Sequence, residues 1–211
     1  TDKAFLHMLE IIKPGLCEKD LQLELDYFML KNGATGLAFE TILAAGANGS
    51  MPHAVPSMNV IKEGDFVTMD FGAAHNGYCS DMTRTVAVGK ISEEQEKVYN
   101  LVLNAQLAAI DAVKAGVPCN SIDAVARDMI YGAGYEGKFG HGLGHSLGLE
   151  IHENPRFSPL CSELTEAGIV MSVEPGIYLD GQFGVRIEDI VMVTEDGCDV
   201  ITKSEKKLIT L

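Results

Sequence analysis

The sequence predicts an α+β fold made of two copies of one unit, in which a helix is followed by a pair of strands. One observation is an internal repeat, because residues 13–16 and 32–36 recur in register as residues 114–117 and 133–137. Another is that short β-prone segments, entered and left through glycine, follow the helix in both copies. Strands that pair locally, with helices set to one side, are typical of α+β proteins and not of parallel βαβ proteins.

The helices are predicted from apolar spacing and from signals at their ends. The first runs from residue 2 to about residue 13 and stops at Pro14. Ser92 and Gln95 have the spacing of a capping box that opens a longer helix, which is predicted to end near Gly116. Each copy also has a helix of its own with apolar residues at helical spacing. These residues are Leu21, Leu25, Phe28 and Met29 in the first copy and Ile122, Val125, Met129 and Ile130 in the second.

The predicted strands carry acidic residues at matching places in the two copies. In each copy one strand ends on a carboxylate just before a glycine turn, and the strand that follows also carries an acid. The four acids are Asp70 and Asp81 in the first copy and Glu174 and Glu188 in the second. The second strands are predicted over residues 80–86 and 186–191. Because no linker separates the copies, we expect one domain over residues 1–211, with half-repeats of about 1–90 and 91–211.

The composition excludes several classes of partner. The net charge is −14 and the pI is about 4.7, whereas binding to nucleic acid or to an anionic membrane requires a basic surface. No apolar run approaches the ~18 residues of a transmembrane helix, and the N-terminus lacks the pattern of a signal peptide. The five cysteines form an odd, scattered set without CxxC spacing, which predicts reduced thiols and a cytoplasmic location.

The four matched carboxylates suggest a metal site. If the two copies pack about a pseudo-twofold axis, all four acids converge between them. Four like charges in a shared interior are very unfavourable unless cations neutralise them, and two divalent ions would do so. The alternative is that these acids cap turns or pair with Arg84 and Arg186 at the surface. This alternative would account well for any one of the four acids. It does not account for the fact that the acids occur at matching positions in the two copies.

A glycine-rich segment, residues 139–153, contains half of the six histidines in the chain: His141, His145 and His152. His145 is the best candidate for a metal ligand, since neutral imidazole binds many divalent metals. His53 precedes the strand that carries Asp70 and would be structural if it stood alone. A zinc-binding HExxH helix is excluded, because Asn154 and Pro155 follow where that motif continues to its second histidine. His7 and His75 are expected at the surface without a functional role.

Five motifs in order carry a family resemblance. They are MDFG (69–72), YCSDMTRT (78–85), FGHGLGHSLGLEIHE (139–153), VEPGIY (173–178) and GVRIEDIV (184–191). Across essentially the whole chain they resemble the metallopeptidases of pita-bread fold, which include Xaa-Pro aminopeptidases, Xaa-Pro dipeptidases (prolidases) and methionine aminopeptidases. The resemblance implies a curved antiparallel sheet with the helices outside it.

The resemblance also implies a dinuclear metal centre in which no ligand position departs from the family pattern. Asp70 would bind one metal, His145 and Glu174 the other, and Asp81 and Glu188 would bridge the two. The expected ions are Mn²⁺ or Co²⁺, with Zn²⁺ or Fe²⁺ as alternatives. A hydroxide held between the ions would be the nucleophile, and Glu174 would accept its proton.

Further roles follow from the resemblance alone. His152 matches a residue that binds the substrate amide and stabilises the tetrahedral intermediate. His53 and His141 match histidines that shape the substrate site and support proton delivery to the proline nitrogen. Tyr178 and Arg186 match residues that orient the metal-binding acids.

The implied substrate is a peptide or dipeptide with proline in the second position. The segment 52–57 and the short spacing from Glu174 to Glu188 favour Xaa-Pro peptidases over methionine aminopeptidases, which remain an alternative. A non-catalytic peptide-binding module is a second alternative, and a creatinase-like C–N hydrolase is a third. Relatives of this type usually carry an N-terminal domain that closes the cleft and supports dimerisation. We expect that domain to be absent from these residues and any homodimer to be weakened.

Overall fold

The first half of the chain places two helices before a set of short strands. The computed structural model describes residues 1–211 throughout. The elements of this half are α1 (Asp2–Ile11), α2 (Glu18–Lys31), β1 (Gly36–Leu37), β2 (Ile42–Ala45), a 3₁₀ turn (Gly46–Ser50), β3 (Phe66–Phe71), β4 (Ala73–His75), β5 (Tyr78–Cys79) and β6 (Met82–Ala87).

The second half repeats this order, with two helices followed by strands. Its elements are α3 (Glu93–Ala112), α4 (Cys119–Gly132), β7 (Gly144–Ser146), β8 (Glu153–Phe157), β9 (Val170–Val173), β10 (Gly176–Leu179), β11 (Phe183–Arg186), β12 (Asp189–Val193) and β13 (Cys198–Val200). Every pairing between these strands is antiparallel, so the α+β prediction is confirmed. The division of the domain near residue 90 stays a prediction.

Two sheets provide the framework of the site. One has the strand order β2-β3-β6, and the other has the order β13-β12-β9-β7-β8. In the first sheet Asp70 of β3 lies opposite Thr83 of β6. In the second sheet β9 pairs with β12, so that Val173 lies opposite Asp189. The strand pairs β3–β6 and β9–β12 therefore occupy equivalent places in the two halves, and the four acids lie in or next to these strands.

The predicted helices are present, but two of them end earlier in the chain than the sequence predicted. Ser92 and Gln95 form the predicted capping box at the start of α3. The first helix ends at Ile11, short of residue 13, because Pro14 disfavours helical backbone in the residue before it. The end of α3 also comes earlier than Gly116. Val113 there takes an extended conformation and is fully buried, so the chain turns into the core one turn sooner.

The predicted strand over residues 186–191 is wrong. Arg186 ends β11 and Asp189 begins β12, while Glu188 lies between the two strands. The break has a physical cause, because β11 pairs with β10 whereas β12 pairs with β9, and the chain changes partner between them. Similarly, the strand predicted over residues 80–86 begins only at Met82 in β6. Asp81 and Glu188 thus lie at breaks in regular pairing.

The apolar interior forms two clusters, one under each pair of helices. The first-half cluster joins α1 and α2 to β3 and β6, and the larger second-half cluster joins α3 and α4 to strands β9 to β12. Phe66 and Ala87 of the first half pack into the second cluster. Met129, one of the apolar residues assigned to the packed face of its helix, is 37% exposed and lies at the edge of that face. None of the helices combines the length and apolar character that crossing a membrane would require.

Candidate metal centre

Three carboxylates from both halves meet at one point. Asp70 projects from β3, Asp81 precedes β6, and Glu188 lies at the break between β11 and β12. One oxygen of each lies within 4.8 Å of the others. Thr83 holds the halves together here, since its hydroxyl donates to Glu188 Oε2 at 2.8 Å and its carbonyl accepts from the Glu188 N–H at 3.1 Å. Three of the four acids that were predicted to converge between the two copies therefore meet at this point.

The surface alternative for these acids is wrong. Asp70, Asp81 and Glu188 are all buried. Arg84 forms its ion pair with Asp189, at 2.7 Å between Nη2 and Oδ1, and not with any of the three acids. Arg186 does pair with Asp70, at 2.6 Å, but this ion pair is buried and leaves the other carboxylates without a cation.

The unpartnered oxygens of the cluster fit a bound cation. Asp70 Oδ1, Asp81 Oδ1 and Glu188 Oε1 are buried and make no hydrogen bond, and no other buried side-chain oxygen or nitrogen lacks a partner. Buried polar atoms are nearly always hydrogen-bonded, so three exceptions in one place require an explanation. Burial, and after it the charges of the neighbouring carboxylates, raise the pKa of Asp81 and of Glu188 well above their ordinary values. Divalent cations would satisfy these oxygens and remove the repulsion.

His145 and Glu174 extend this cluster. His145 Nε2 lies 3.4 Å from Glu174 Oε1 and 3.6 Å from Asp81 Oδ2. The Nδ1–H group of His145 donates to the Ser146 carbonyl at 3.0 Å, so we assign the lone pair to Nε2. Burial lowers the pKa of His145 to about 4, which keeps the ring neutral. A lone pair that faces carboxylate oxygens without a proton between them is the arrangement of a metal ligand.

Glu174 follows β9 and is anchored by a neighbouring hydroxyl. Ser172 Oγ donates to Glu174 Oε1 at 3.0 Å and accepts from the His145 N–H at 3.0 Å. Burial, followed by the charge of Asp70, raises the pKa of Glu174 to about 8. One serine therefore sets the spacing between His145 and Glu174.

A hydrogen-bonded chain leads from the cluster to His141. Arg186 Nη1 donates to Tyr178 Oη at 2.7 Å, and Tyr178 Oη lies 2.9 Å from His141 Nε2. Because His141 Nδ1 donates to the Gly142 carbonyl at 2.7 Å, we assign the Tyr178 hydroxyl as donor to Nε2. Burial raises the pKa of Tyr178 to about 12 and lowers that of His141 to about 4, so both groups are neutral. Arg186 and Tyr178 thus connect Asp70 with His141.

The remaining histidines lie over the cluster at the mouth of a cavity. His152 packs edge-on against His145, with 4.5 Å between ring centroids. His53 lines the same cavity from the other half of the chain, and its side chain makes no hydrogen bond. All ten residues singled out in the sequence therefore lie in one region, although their individual roles stay predictions.

The cavity has two parts that the sequence reasoning missed. The larger part, about 440 Å³, is lined entirely by polar residues and glycines apart from Pro52, and it includes Arg156 and Ser158. Arg156 lies on β8, whose alternating burial turns Pro155 and Phe157 inward and leaves Arg156 exposed. The alternation of inward and outward residues along this segment was the sequence feature from which the exposure of Arg156 could have been predicted. The smaller part, about 120 Å³, has an apolar wall made of Phe39, Ile42 and Ile151.

Three buried carboxylates, the partly buried Glu174 and a neutral histidine lie between two repeated halves beside an open polar cavity. This is the kind of arrangement in which hydrolytic metalloenzymes hold metal ions. The sequence pattern of metallopeptidase family M24 matches residues 1–195, and the chain belongs to this family. The resemblance noted in the sequence is thereby confirmed. Divalent metal ions are implied for the site by this family.

Characterised and uncharacterised relatives agree with this assignment. An uncharacterized peptidase of Bacillus subtilis is 46% identical over 211 residues, which are 100% of this chain and 60% of that protein. A Xaa-Pro dipeptidase of Pyrococcus furiosus is 43% identical over 209 residues, with 99% of this chain and 60% of that protein covered. The chain thus spans about three fifths of the length of the relatives it matches.

Solved structures confirm the pita-bread fold. A Xaa-Pro dipeptidase from Bacillus anthracis superposes with a TM-score of 0.98 at 50% identity, covering 100% of this chain and 59% of that one. An X-Pro aminopeptidase from Thermotoga maritima superposes with a TM-score of 0.96 at 42% identity, covering 99% and 59%. The structural neighbours thus include one protein named Xaa-Pro dipeptidase and one named X-Pro aminopeptidase.

Proposed function

We propose that this chain is the catalytic domain of a metal-dependent exopeptidase that hydrolyses the Xaa-Pro bond at the N-terminus of a peptide. The observation that carries the proposal is the set of three unpartnered, buried carboxylate oxygens beside a cavity ringed by histidines. The substrate class is supported by relatives and structural neighbours named Xaa-Pro dipeptidase and X-Pro aminopeptidase.

We propose that the site holds two divalent cations. Asp70 would bind one cation, His145 and Glu174 the other, and Asp81 and Glu188 would be shared. The charge of four carboxylates with one arginine supports two cations, and a mostly oxygen ligand set with one imidazole suits Mn²⁺ or Co²⁺. The bound cations would supply Lewis acidity, which polarises a peptide carbonyl and lowers the pKa of water.

Glu174 is the proposed general base. Its Oε1 accepts from Ser172 Oγ, while its Oε2 makes no hydrogen bond and is available to take a proton from the attacking water. A carboxylate with a raised pKa is suited to this role, because proton transfer works best when the pKa of the base lies near the operating pH. Ser172 keeps the carboxylate oriented while it exchanges the proton.

The histidines are proposed to handle the substrate. His152 lies beside His145 and would donate to the oxygen of the scissile peptide group. His53 and His141 would line the proline side and deliver a proton to its nitrogen as the bond breaks. Proline has no N–H group and a fixed φ, so an enzyme for Xaa-Pro bonds cannot depend on a hydrogen bond from that nitrogen. Recognition by side chains around the carbonyl avoids this requirement.

Arg156 supports a dipeptidase in preference to an aminopeptidase. Its side chain lines the larger cavity and has no carboxylate partner in the protein. A guanidinium pairs strongly with a carboxylate, and the free carboxylate of an Xaa-Pro dipeptide is the group that a longer peptide lacks at this place. We therefore propose that Arg156 binds the C-terminus of the dipeptide.

The test uses protein stripped of metal and then supplied with Mn²⁺ or Co²⁺. Leu-Pro, Met-Pro, Leu-Pro-Gly and a Met-Ala-Ser peptide are assayed in parallel. Cleavage of the dipeptides alone supports the dipeptidase, and cleavage of Leu-Pro-Gly supports the aminopeptidase. Cleavage of Met-Ala-Ser alone favours a methionine aminopeptidase.

Controls separate catalysis from simple binding. Glu174→Gln should abolish turnover, whereas Glu136→Gln, at an exposed glutamate, should leave it unchanged. Peptide binding without turnover, combined with no metal uptake, would favour a non-catalytic module and refute the proposal.

A further inference from the structure

Glu18 is a fully buried carboxylate outside the metal centre, in the first turn of α2. No lysine, arginine or histidine pairs with it. An isolated buried charge is strongly unfavourable unless hydrogen bonds compensate, so its partners show what the residue does in the fold.

Five donors surround the carboxylate. Glu18 Oε1 accepts from the Ala45 N–H at 2.8 Å and from Asn59 Nδ2 at 3.0 Å. Glu18 Oε2 accepts from Asn48 Nδ2 at 2.8 Å, from the Ser57 N–H at 3.0 Å and from Ser57 Oγ at 2.8 Å. Hydrogen bonds to an ionised acceptor are about twice as strong as neutral ones. The charge is therefore held entirely by neutral groups.

All five donors come from one segment, residues 45–59, which we name the His53 loop. They lie at its beginning and its end, so Glu18 ties the two ends of the loop together. The backbone repeats this attachment, because the Glu18 N–H donates to the Asn59 carbonyl at 3.0 Å and the Lys19 N–H donates to the Ser57 carbonyl at 2.9 Å. The first turn of α2 has no helical acceptors for these N–H groups, and the loop supplies them.

The opposite side of the loop rests on the second half of the chain. The Pro52 carbonyl accepts from Arg186 Nη1 at 3.3 Å, and Ser50 Oγ accepts from the Gly181 N–H at 3.1 Å. Gly49 packs backbone to backbone against Gly184, where an added Cβ would lie 2.0 Å from the Gly49 carbonyl oxygen. The loop is thus clamped between α2 on one side and the strand that ends at Arg186 on the other.

His53 depends on this clamp for its position. Its ring lines both parts of the cavity, yet it forms no hydrogen bond that would orient it. The backbone of the His53 loop must therefore place the ring, and that backbone is fixed at both ends by Glu18.

We infer that Glu18 is a positioning residue for His53: through the loop it holds the histidine over the substrate site without contacting substrate or metal. The inference rests on the proposed function for its kinetic consequences. Its structural consequence, the placement of His53, does not depend on which peptide is cleaved.

The first test is Glu18→Gln, which keeps the size of the side chain but turns one acceptor into a donor that faces other donors. We expect kcat/KM for Leu-Pro to fall about 10- to 100-fold, the loss typical of a displaced catalytic group. Mn²⁺ content should not change, because Glu18 is no ligand. Glu93→Gln is the matched control, since Glu93 occupies the same first position in α3 and is exposed, and it should leave kcat/KM unchanged.

A double variant distinguishes positioning from general stability. In a His53→Ala background, Glu18→Gln should cause little further loss of kcat/KM, because the group it positions is already missing. An equal fold-loss in both backgrounds would overturn the inference. If Glu18→Gln does not fold, Asn48→Ala, which removes one of the five donors, should give a smaller loss with the same dependence on His53.

A second readout needs no turnover. In the NMR spectrum of the metal-free protein, Glu18→Gln should shift the ring signal of His53 but not that of His152, and amide exchange over residues 45–59 should become faster. An unchanged His53 signal together with unchanged exchange would overturn the inference. If wild-type protein cleaves no Xaa-Pro peptide, the proposed function fails while these measurements still decide the role of Glu18.

Discussion

Removing the metal should make the stability of this protein fall as the pH rises from 6.5 to 8. The perturbation is exhaustive chelation, which leaves the carboxylates of the centre without cations. The folded state raises the pKa of Glu174 from an ordinary 4.5 to about 8, and those of Asp81 and Glu188 also rise. A raised pKa means that the folded protein holds its proton more tightly than the unfolded chain does. Stability is therefore lost as the pH rises through this range.

The neutral histidines act in the opposite direction at lower pH. The pKa values of His141 and His145 are lowered from 6.5 to about 4, so their contribution to stability is lost as the pH falls below 6.5. Between pH 4.5 and 6.5 the two effects oppose each other. Above pH 6.5 the histidines no longer contribute. The coupled carboxylates outweigh the α-amino group of Thr1, whose pKa is lowered from 8.0 by burial and which acts in the opposite direction, so the sign of the change is set by the carboxylates.

The expected loss of stability follows from the width of this pH range. Glu174 alone should remove about 2 kcal/mol between pH 6.5 and 8, at about 1.4 kcal/mol per pH unit. The neighbouring carboxylates titrate with it as a group and act in the same direction. A change of this size is large against a total stability of about 5–15 kcal/mol for an ordinary domain.

The assay is urea unfolding followed by circular dichroism, at several pH values, with and without saturating Mn²⁺. The metal-loaded protein should be more stable at every pH and should lack the decline, because the cations favour the ionised carboxylates. Glu174→Gln should reduce the slope of the metal-free protein, and Glu136→Gln should not. The prediction is wrong if the stability of the metal-free protein stays level or rises from pH 6.5 to 8, or if Mn²⁺ does not change the stability.

Three further variants test separate parts of the structure. Arg156→Ala should raise KM for Leu-Pro at least tenfold but leave that for its C-terminal amide unchanged, because only the free acid offers a partner to the guanidinium; equal changes for both would contradict this role. Ile151→Ala should improve kcat/KM for Phe-Pro relative to Ala-Pro, since it widens the smaller cavity beside the proposed metal ligands. Asp189→Ala should lower the unfolding free energy measured in urea by about 3–5 kcal/mol, because it leaves the buried Arg84 guanidinium without its carboxylate.

The acids of the proposed centre could be predicted because the two copies of the repeat carry acids at matching positions. One carboxylate just before a glycine turn, such as Asp70, says little by itself. The same feature at Glu174, with a further acid on the following strand in each half, indicates a shared site before any contact is known. His145 was selected on a different ground, because it lies in a glycine-rich segment that contains three of the six histidines and because neutral imidazole binds many divalent metals.

Other parts of the site depend on long-range contacts that leave no local pattern. Glu18 looks like any acid in the first turn of a helix, and only the closure of the His53 loop buries it. Phe39 and Ile42 lie three residues apart, but Ile151 comes from the other half of the chain, and nothing in the sequence predicts that the three form a common wall. The strand break at Glu188 was missed for a related reason, since the apolar pattern continues across it while the pairing partner changes.

The contact between Thr83 and Glu188 makes the two halves of the chain incomplete without each other. Each half contributes two of the four carboxylates, and one half holds the other's acid in place through both a hydroxyl and a carbonyl. Neither half alone can assemble the full set of proposed ligands, so a cation bound at their junction would act as a crosslink between them. Metal affinity should accordingly depend on how firmly the two halves are docked against each other.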